Sequence, residues 1–148
     1  MKVDTILVPT DFSADAEKAL STAVDIAKLV EARIVVLHAY HVDIPTMSPL
    51  GSSYTLPQSF YDELRSQATT QVENAAKKLT AEGVEAIGIA LSEPPSIAIV
   101  AQAESLPADL IVIGTRGLTG LKHVVLGSVA ERVVRMAPCP VLTVKAGA

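Results

Sequence analysis

The sequence predicts an α/β fold, an open, mostly parallel sheet with helices on both faces, and three observations predict it. Strand-like and helix-like segments alternate along the 148 residues. The strand segments are continuously apolar, as in Ile34-Val35-Val36-Leu37 and Leu110-Ile111-Val112-Ile113, which is what strands covered on both faces require. The helical segments carry apolar residues three and four apart, the period of a helix packed on one side. Alternation of this kind winds helices over both faces of a parallel sheet, and ligands then sit beyond the carboxyl ends of the strands.

Taken in order, Val3 to Val8 reads as a first strand. A helix starting at Phe12-Ser13 has the stripe Ala16, Ala19, Leu20, Ala23, Ala27 and Val30, with Asp15, Lys18, Ser21, Thr22, Asp25 and Lys28 assigned to the solvent face. Arg33 to Ala39 is the second strand. Residues 41–58 contain Pro45, Pro49, Gly51 and Pro57 among many Ser and Thr, and are expected to form a flexible insert. Segments of this length are functional or disordered, and both readings stay open. A long helix from Ser59 to Ala81 places Leu64, Ala68, Val72, Ala75 and Leu79 on one side, with Gly83 as its stop. Glu85 to Leu91 is the third strand. Pro95 to Glu104 is the third helix, opened by proline where a missing N–H does no harm. Asp109 to Ile113 is the fourth strand, Gly127 to Met136 the fourth helix and Pro140 to Lys145 the last strand. No repeat or linker interrupts this order, so residues 1–148 are read as a single domain.

Composition excludes several function classes. A net charge of −4 without any basic block offers no attraction for nucleic acid or an anionic membrane. The apolar stretches fall well short of the ~18 residues of a membrane span, and Ile6-Leu7-Val8 is too short for a secretory signal. The single cysteine, Cys139, cannot close an internal disulfide; between two prolines and ahead of an apolar strand, it reads as a buried, unreactive thiol. A cytoplasmic location is expected. His38 has no second ligand near it in sequence, so no metal site is assigned, and no residue carries a spacing that marks it as catalytic.

The most specific pattern follows the fourth strand: Gly114-x2-Gly117-x9-Gly127-Ser128. Glycines allow an anion close to the backbone, and the first amides of a helix point at it. Taken singly, each glycine could as well end a strand, sit in a turn or cap a helix. Asp11, just past the first strand, could reach a purine or ribose, while Asp11 or Ser13 also suits the cap of the first helix. Arg116 could pair with a phosphate or be an exposed loop arginine, and the same choice holds for Lys122 and His123. Neither Gly-x4-Gly-Lys-Ser/Thr nor Gly-x-Gly-x2-Gly occurs, which excludes the two common nucleotide signatures.

These residues resemble the universal stress protein family nearly end to end. The resemblance lies in Ile6-Leu7-Val8-Pro9-Thr10-Asp11-Phe12-Ser13, in Leu37-His38-Ala39, in Asp109 through Gly117, in Leu126-Gly127-Ser128-Val129-Ala130-Glu131 and in Cys139-Pro140-Val141-Leu142-Thr143-Val144. It implies a five-stranded parallel sheet of order 3-2-1-4-5, Rossmann-like and similar to adenine nucleotide alpha hydrolases. It also implies a homodimer and, for members with the full glycine motif, binding of ATP, with or without Mg2+, or of AMP or ADP. By that resemblance Pro9, Thr10, Asp11 and Ala39 surround the adenine and ribose. Ile113, Gly114, Arg116 and Gly117 line the ribose and phosphate path, and Gly127, Ser128, Val129 and Ala130 hold the phosphates. One departure is Ser92-Glu93-Pro94, where relatives often have Gly-x-Pro, which removes a close backbone approach there.

The last strand, with Val141, Leu142 and Val144, would be an apolar sheet edge that either invites self-pairing across a two-fold axis, the preferred reading, or is shielded by a helix or the C-terminal tail. The expected function is therefore that of a dimeric, ATP-binding stress or signalling protein. The alternatives are a slow ATPase or phosphotransferase, and a structural dimer that binds no nucleotide.

Overall fold

Strand β1, Thr5–Pro9, is buried along its whole length and forms the centre of the sheet. The computed structural model describes residues 1–42, 56–118 and 125–147. The elements that follow are α1 (Ala14–Val30), β2 (Arg33–Ala39), α2 (Gln58–Ala81), β3 (Ala86–Leu91), α3 (Pro95–Ser105), β4 (Leu110–Gly114), α4 (Ser128–Met136) and β5 (Val141–Val144). They build one five-stranded sheet of order β3-β2-β1-β4-β5 in which every pairing is parallel. The expected fold class is the observed one.

The period-two geometry of the strands divides the core in two. Ile6, Val8, Ile34, Val36 and Val112 face α1 and α2, where they meet Ala19, Ala23, Ala27, Val72 and Leu79. Their chain neighbours Leu7, Val35, Leu37, Ile111 and Ile113 face α3 and α4, against Ile99, Ala103, Ala130 and Val133. Continuous apolar strands are thus used on both sides, as a doubly covered parallel sheet demands. Alanine dominates α1 where it crosses the strands, so the helix lies close to the sheet.

Two residues of α1 depart from the expected wheel. Val30, assigned to the stripe, is 46% exposed at the helix end, and Asp15, assigned to solvent, is 4% exposed. The helix begins where expected, since Ser13 caps it by accepting from the Ala16 amide at 3.3 Å. β1 starts at Thr5 rather than Val3. Asp109 Oδ2 accepts from the amides of Asp4 and Thr5, both at 2.9 Å, just before β4 begins. Among the described residues no helix is long and apolar enough to cross a membrane. Of the insert expected at residues 41–58, residues 43–55 lie outside the described ones.

β1 lies between β2 and β4, so the chain winds one way from β1 to β3 and the other way from β4 to β5. The crevice left by this reversal opens at the carboxyl ends of β1 and β4. At the opposite end, Asp109 ties the two strands together. The Thr5 and Asp4 amides hold its carboxyl below the ordinary carboxylate range. Its stabilising effect is therefore complete above the unfolded-state pKa and is lost as pH falls through the lower folded one. We expect Asp109→Ala to cost about 1–2 kcal/mol in urea unfolding at neutral pH, and the difference from wild type to shrink once the pH drops below ~4.

Candidate functional site

The chain leaving β1 is stapled into a fixed turn by its own side chains. Thr10 donates its amide to Leu37 O at 2.8 Å, Thr10 Oγ1 accepts from the Phe12 amide at 3.0 Å, and Asp11 Oδ1 accepts from the Ser13 amide at 3.0 Å. These bonds hold Phe12 in the left-handed region (φ 63°), which costs an L-residue roughly 1–2 kcal/mol. The Phe12 ring lies 4.9 Å from that of His38. His38 Nδ1 donates to Thr10 O at 2.8 Å, so its proton is fixed on that nitrogen. Asp11 and Ser13, offered as competing caps, divide the work: Ser13 caps α1 and Asp11 closes the turn before it.

The chain leaving β4 is drawn onto this turn. Gly114 ends the strand with no room for a side chain: a Cβ there would lie 2.8 Å from Asp15 C and 2.9 Å from Ala16 N. Its neighbour Thr115 donates its hydroxyl to Asp15 Oδ2 at 2.8 Å. Arg116 donates to the same oxygen from its amide at 3.1 Å and its Nε at 3.2 Å, and from Nη2 to Oδ1 at 3.4 Å. Ala146, beyond β5, gives its amide to Oδ1 at 3.1 Å. Gly117 then passes Asp11, whose Oδ2 would be 2.6 Å from a Cβ at that position and accepts from the Leu118 amide at 3.0 Å. Finally the Gly127 amide donates to Thr115 O, which seats the start of α4 beside the same turn.

Burial alone would push the Asp15 carboxyl up. The bonds from Arg116, Thr115 and the Ala146 amide, with the charge of Arg116, outweigh it, so the group lies below the ordinary carboxylate range and is ionised at neutral pH. The sequence reading missed this residue. The signal was present: Asp15 heads the four-residue row Ala19, Ala23, Ala27, and a charge in line with buried alanines needs a partner across the interface. Arg116 is that partner, neither an exposed loop arginine nor a wholly free cation.

Between these segments lies a cavity of about 720 Å³. Pro9, Thr10 and Asp11 come from the β1 exit, Ala39 from β2, Ile113, Gly114, Arg116 and Gly117 from β4 and its turn, and Gly127 through Ala130 from the start of α4. All the residues singled out for nucleotide contact therefore line one space. Leu37, Ile99 and Pro95 add apolar surface, and Ala16, Thr115, Leu118 and His41 complete the wall; none of these was nominated from sequence. Ser92 and Glu93 are exposed and do not line it. Lys122 and His123 lie outside the described residues, among which no group of three or more possible metal ligands occurs. Gly127 supplies no side-chain cap to α4, so the first amides of the helix get no side-chain acceptor from it, and Ser128, Val129 and Ala130 line the cavity. A shallower hollow of about 510 Å³ between α1 and α2 is edged by Glu17, Asp25, Lys28, Lys78 and Glu82. It has no strand ends or free helix start, and is a groove between solvated side chains.

The comparisons agree with this architecture. A protein-family model described as the universal stress protein family matches residues 2–145. Universal stress protein YxiE of Bacillus subtilis is 36% identical over 144 residues, covering 95% of this chain and 97% of the relative. Among solved structures, hypothetical protein MJ0577 superposes with a TM-score of 0.81 at 29% identity, covering 98% of this chain and 97% of that one. A universal stress protein from Archaeoglobus fulgidus in complex with dAMP superposes with a TM-score of 0.67 at 25% identity, covering 98% and 100%. The chain belongs to the universal stress protein family.

Proposed function

We propose that this chain binds an adenine nucleotide, ATP in the first instance, in the cavity between the β1 and β4 exits. One observation carries the reading: the amide-bearing start of α4 opens onto the same space as the Thr10-Asp11 turn and the apolar residues Leu37, Ile99 and Ile113. That arrangement offers an anion cradle at one end and an apolar slot with a polar edge at the other. The volume is within the usual range of small-molecule sites, about 300–1,000 Å³. The dAMP complex of the Archaeoglobus relative supports an adenine nucleotide as the class. In this reading Pro9, Thr10, Asp11 and Ala39 surround adenine and ribose, Ile113, Gly114, Arg116 and Gly117 line the path to the phosphates, and residues 127–130 hold them.

We favour binding over turnover. Asp11 and Arg116, the described side chains a phosphoryl transfer could draw on, are already engaged: Asp11 with the Ser13 and Leu118 amides, Arg116 with Asp15. The protein would act as a nucleotide-responsive stress or signalling protein in the cytoplasm, and Mg2+ would reach the site with the triphosphate. A second copy is the proposed partner. Among the described residues β5 pairs only with β4 and its outer edge has no strand partner, with Leu142 37% exposed. An apolar edge of this kind is completed by the same strand of another chain.

Two measurements check these statements. Titration calorimetry should show ATP binding more tightly than AMP, and Gly127→Val should weaken ATP at least about tenfold, or ~1.4 kcal/mol, because its Cβ would lie 3.1 Å from Thr115 O at the cradle. Absence of any adenine-nucleotide binding by the wild-type chain would overturn the reading. In sedimentation, Leu142→Lys should run as a monomer at concentrations where the wild-type chain is a dimer; a monomeric wild-type chain would remove the proposed assembly.

A further inference from the structure

Asp15 is the buried charge that the nucleotide reading does not use. It does not line the cavity, yet the residues it holds do: Thr115 and Arg116 are both wall residues. Its other oxygen holds Ala146, which is exposed, stands past the end of the sheet and makes no part of that wall. One carboxylate thus joins three pieces of chain far apart in sequence, namely the first turn of α1, the turn after β4 and the segment after β5. The close approach that Gly114 permits leaves the carboxylate little room to shift, because the backbone of Asp15 and Ala16 fills the place of its missing Cβ.

We propose that Asp15 is a positioning residue which clamps the turn after β4 and the chain after β5 as one unit, and through that turn sets the affinity for nucleotide. The inference rests on the nucleotide reading above and adds to it a residue, and a long-range link, outside the cavity. The physical basis is the fixed direction of the donors. Arg116 N–H groups and the Ala146 amide can only donate, so an acceptor must stand between them, and the carboxylate supplies it: Oδ2 and Oδ1 both accept from Arg116, and Oδ1 also accepts from Ala146. With that acceptor lost, the arginine is released, the turn is free to leave Asp11 and the start of α4, and ordering it becomes part of the work of binding.

Asp15→Asn keeps the size of the side chain and turns one acceptor into a donor. Ala146→Pro removes the remote amide hydrogen and puts a ring carbon on that nitrogen, leaving the Asp15 side chain in place. Titration with ATP by calorimetry, with thermal melts to confirm folding, should show about tenfold or more weaker binding for Asp15→Asn, and about two- to tenfold weaker binding for Ala146→Pro. The double variant should bind no worse than Asp15→Asn alone, since both changes act on one clamp. A folded Asp15→Asn chain with wild-type affinity would overturn the proposal, as would an Ala146→Pro effect of equal size in both backgrounds. If Asp15→Asn does not fold, unchanged affinity of Ala146→Pro in the wild-type background overturns it on its own. Failure of the wild-type chain to bind ATP is a different result: it removes the nucleotide reading itself, and this inference with it.

Discussion

Two chain exits have to meet at the carboxyl end of the sheet, and the backbone there is closer than side chains normally allow. β4 must finish against the first turn of α1 while the following residues reach the turn after β1. Gly114 makes the first approach and Gly117 the second, each where a Cβ would stand under 3 Å from a neighbour. Such closeness squeezes water from the junction, and Asp15 is caught in it with its side chain 5% exposed. An unpaired buried carboxylate would be untenable. The donors from Thr115, Arg116 and Ala146 make it tolerable, and removing one partner of a buried pair typically costs about 3–5 kcal/mol. The geometry of the cavity wall follows from this junction.

The same junction decides how an anion would be attracted. Arg116 and Asp15 form an ion pair at 3.2 Å, so the one arginine in the wall brings little net positive charge. In the proposed reading the phosphates would then depend on the main chain of α4, a nine-residue helix starting at Ser128. Attraction at a helix start is worth about 0.3–1 kcal/mol when exposed, while micromolar affinity needs about 8 kcal/mol. The remainder must come from directed amide hydrogen bonds and from burial of the base against Leu37, Ile99 and Ile113. In that reading, among the described residues, neutral amides would do for a chain of net charge −4 the work that a basic patch does elsewhere.

The sheet was legible because each of its inner strands is a continuous apolar run, which excludes half-exposed antiparallel pairing. The elements and the glycine spacing were legible for the same reason: they depend on residues near one another in the chain. What escaped depends on contacts between distant segments. Asp15 looked like a surface acid, since its partners stand about one hundred residues later. The left-handed Phe12 gave no sign, because the usual marker of that conformation is glycine or asparagine. Gly114 was singled out for a close approach to an anion, while the atoms it makes room for in the structure belong to α1, which no local pattern reveals. Val30 fitted the helical period and is 46% exposed as the last residue of the helix.

The cavity and the sheet edge share structure as well as proximity. Thr115 donates its amide to Val144 O at 2.9 Å, and β5 pairs with β4 from Ile111↔Val141 to Gly114↔Val144. The turn that forms the cavity wall therefore continues β4, the strand on which the edge strand β5 is paired. Any contact that steadies β5 from outside also steadies Thr115, Arg116 and the acceptor between them. Coupling of this kind is reciprocal: if pairing of β5 with a second chain tightens ligand binding, the ligand must tighten the pairing by the same factor. The wiring is short and consists of hydrogen bonds between rigid elements. In the proposed reading, the nucleotide site and the proposed pairing edge would be linked by the hydrogen bonds that Thr115 and Ala146 make on either side of β5.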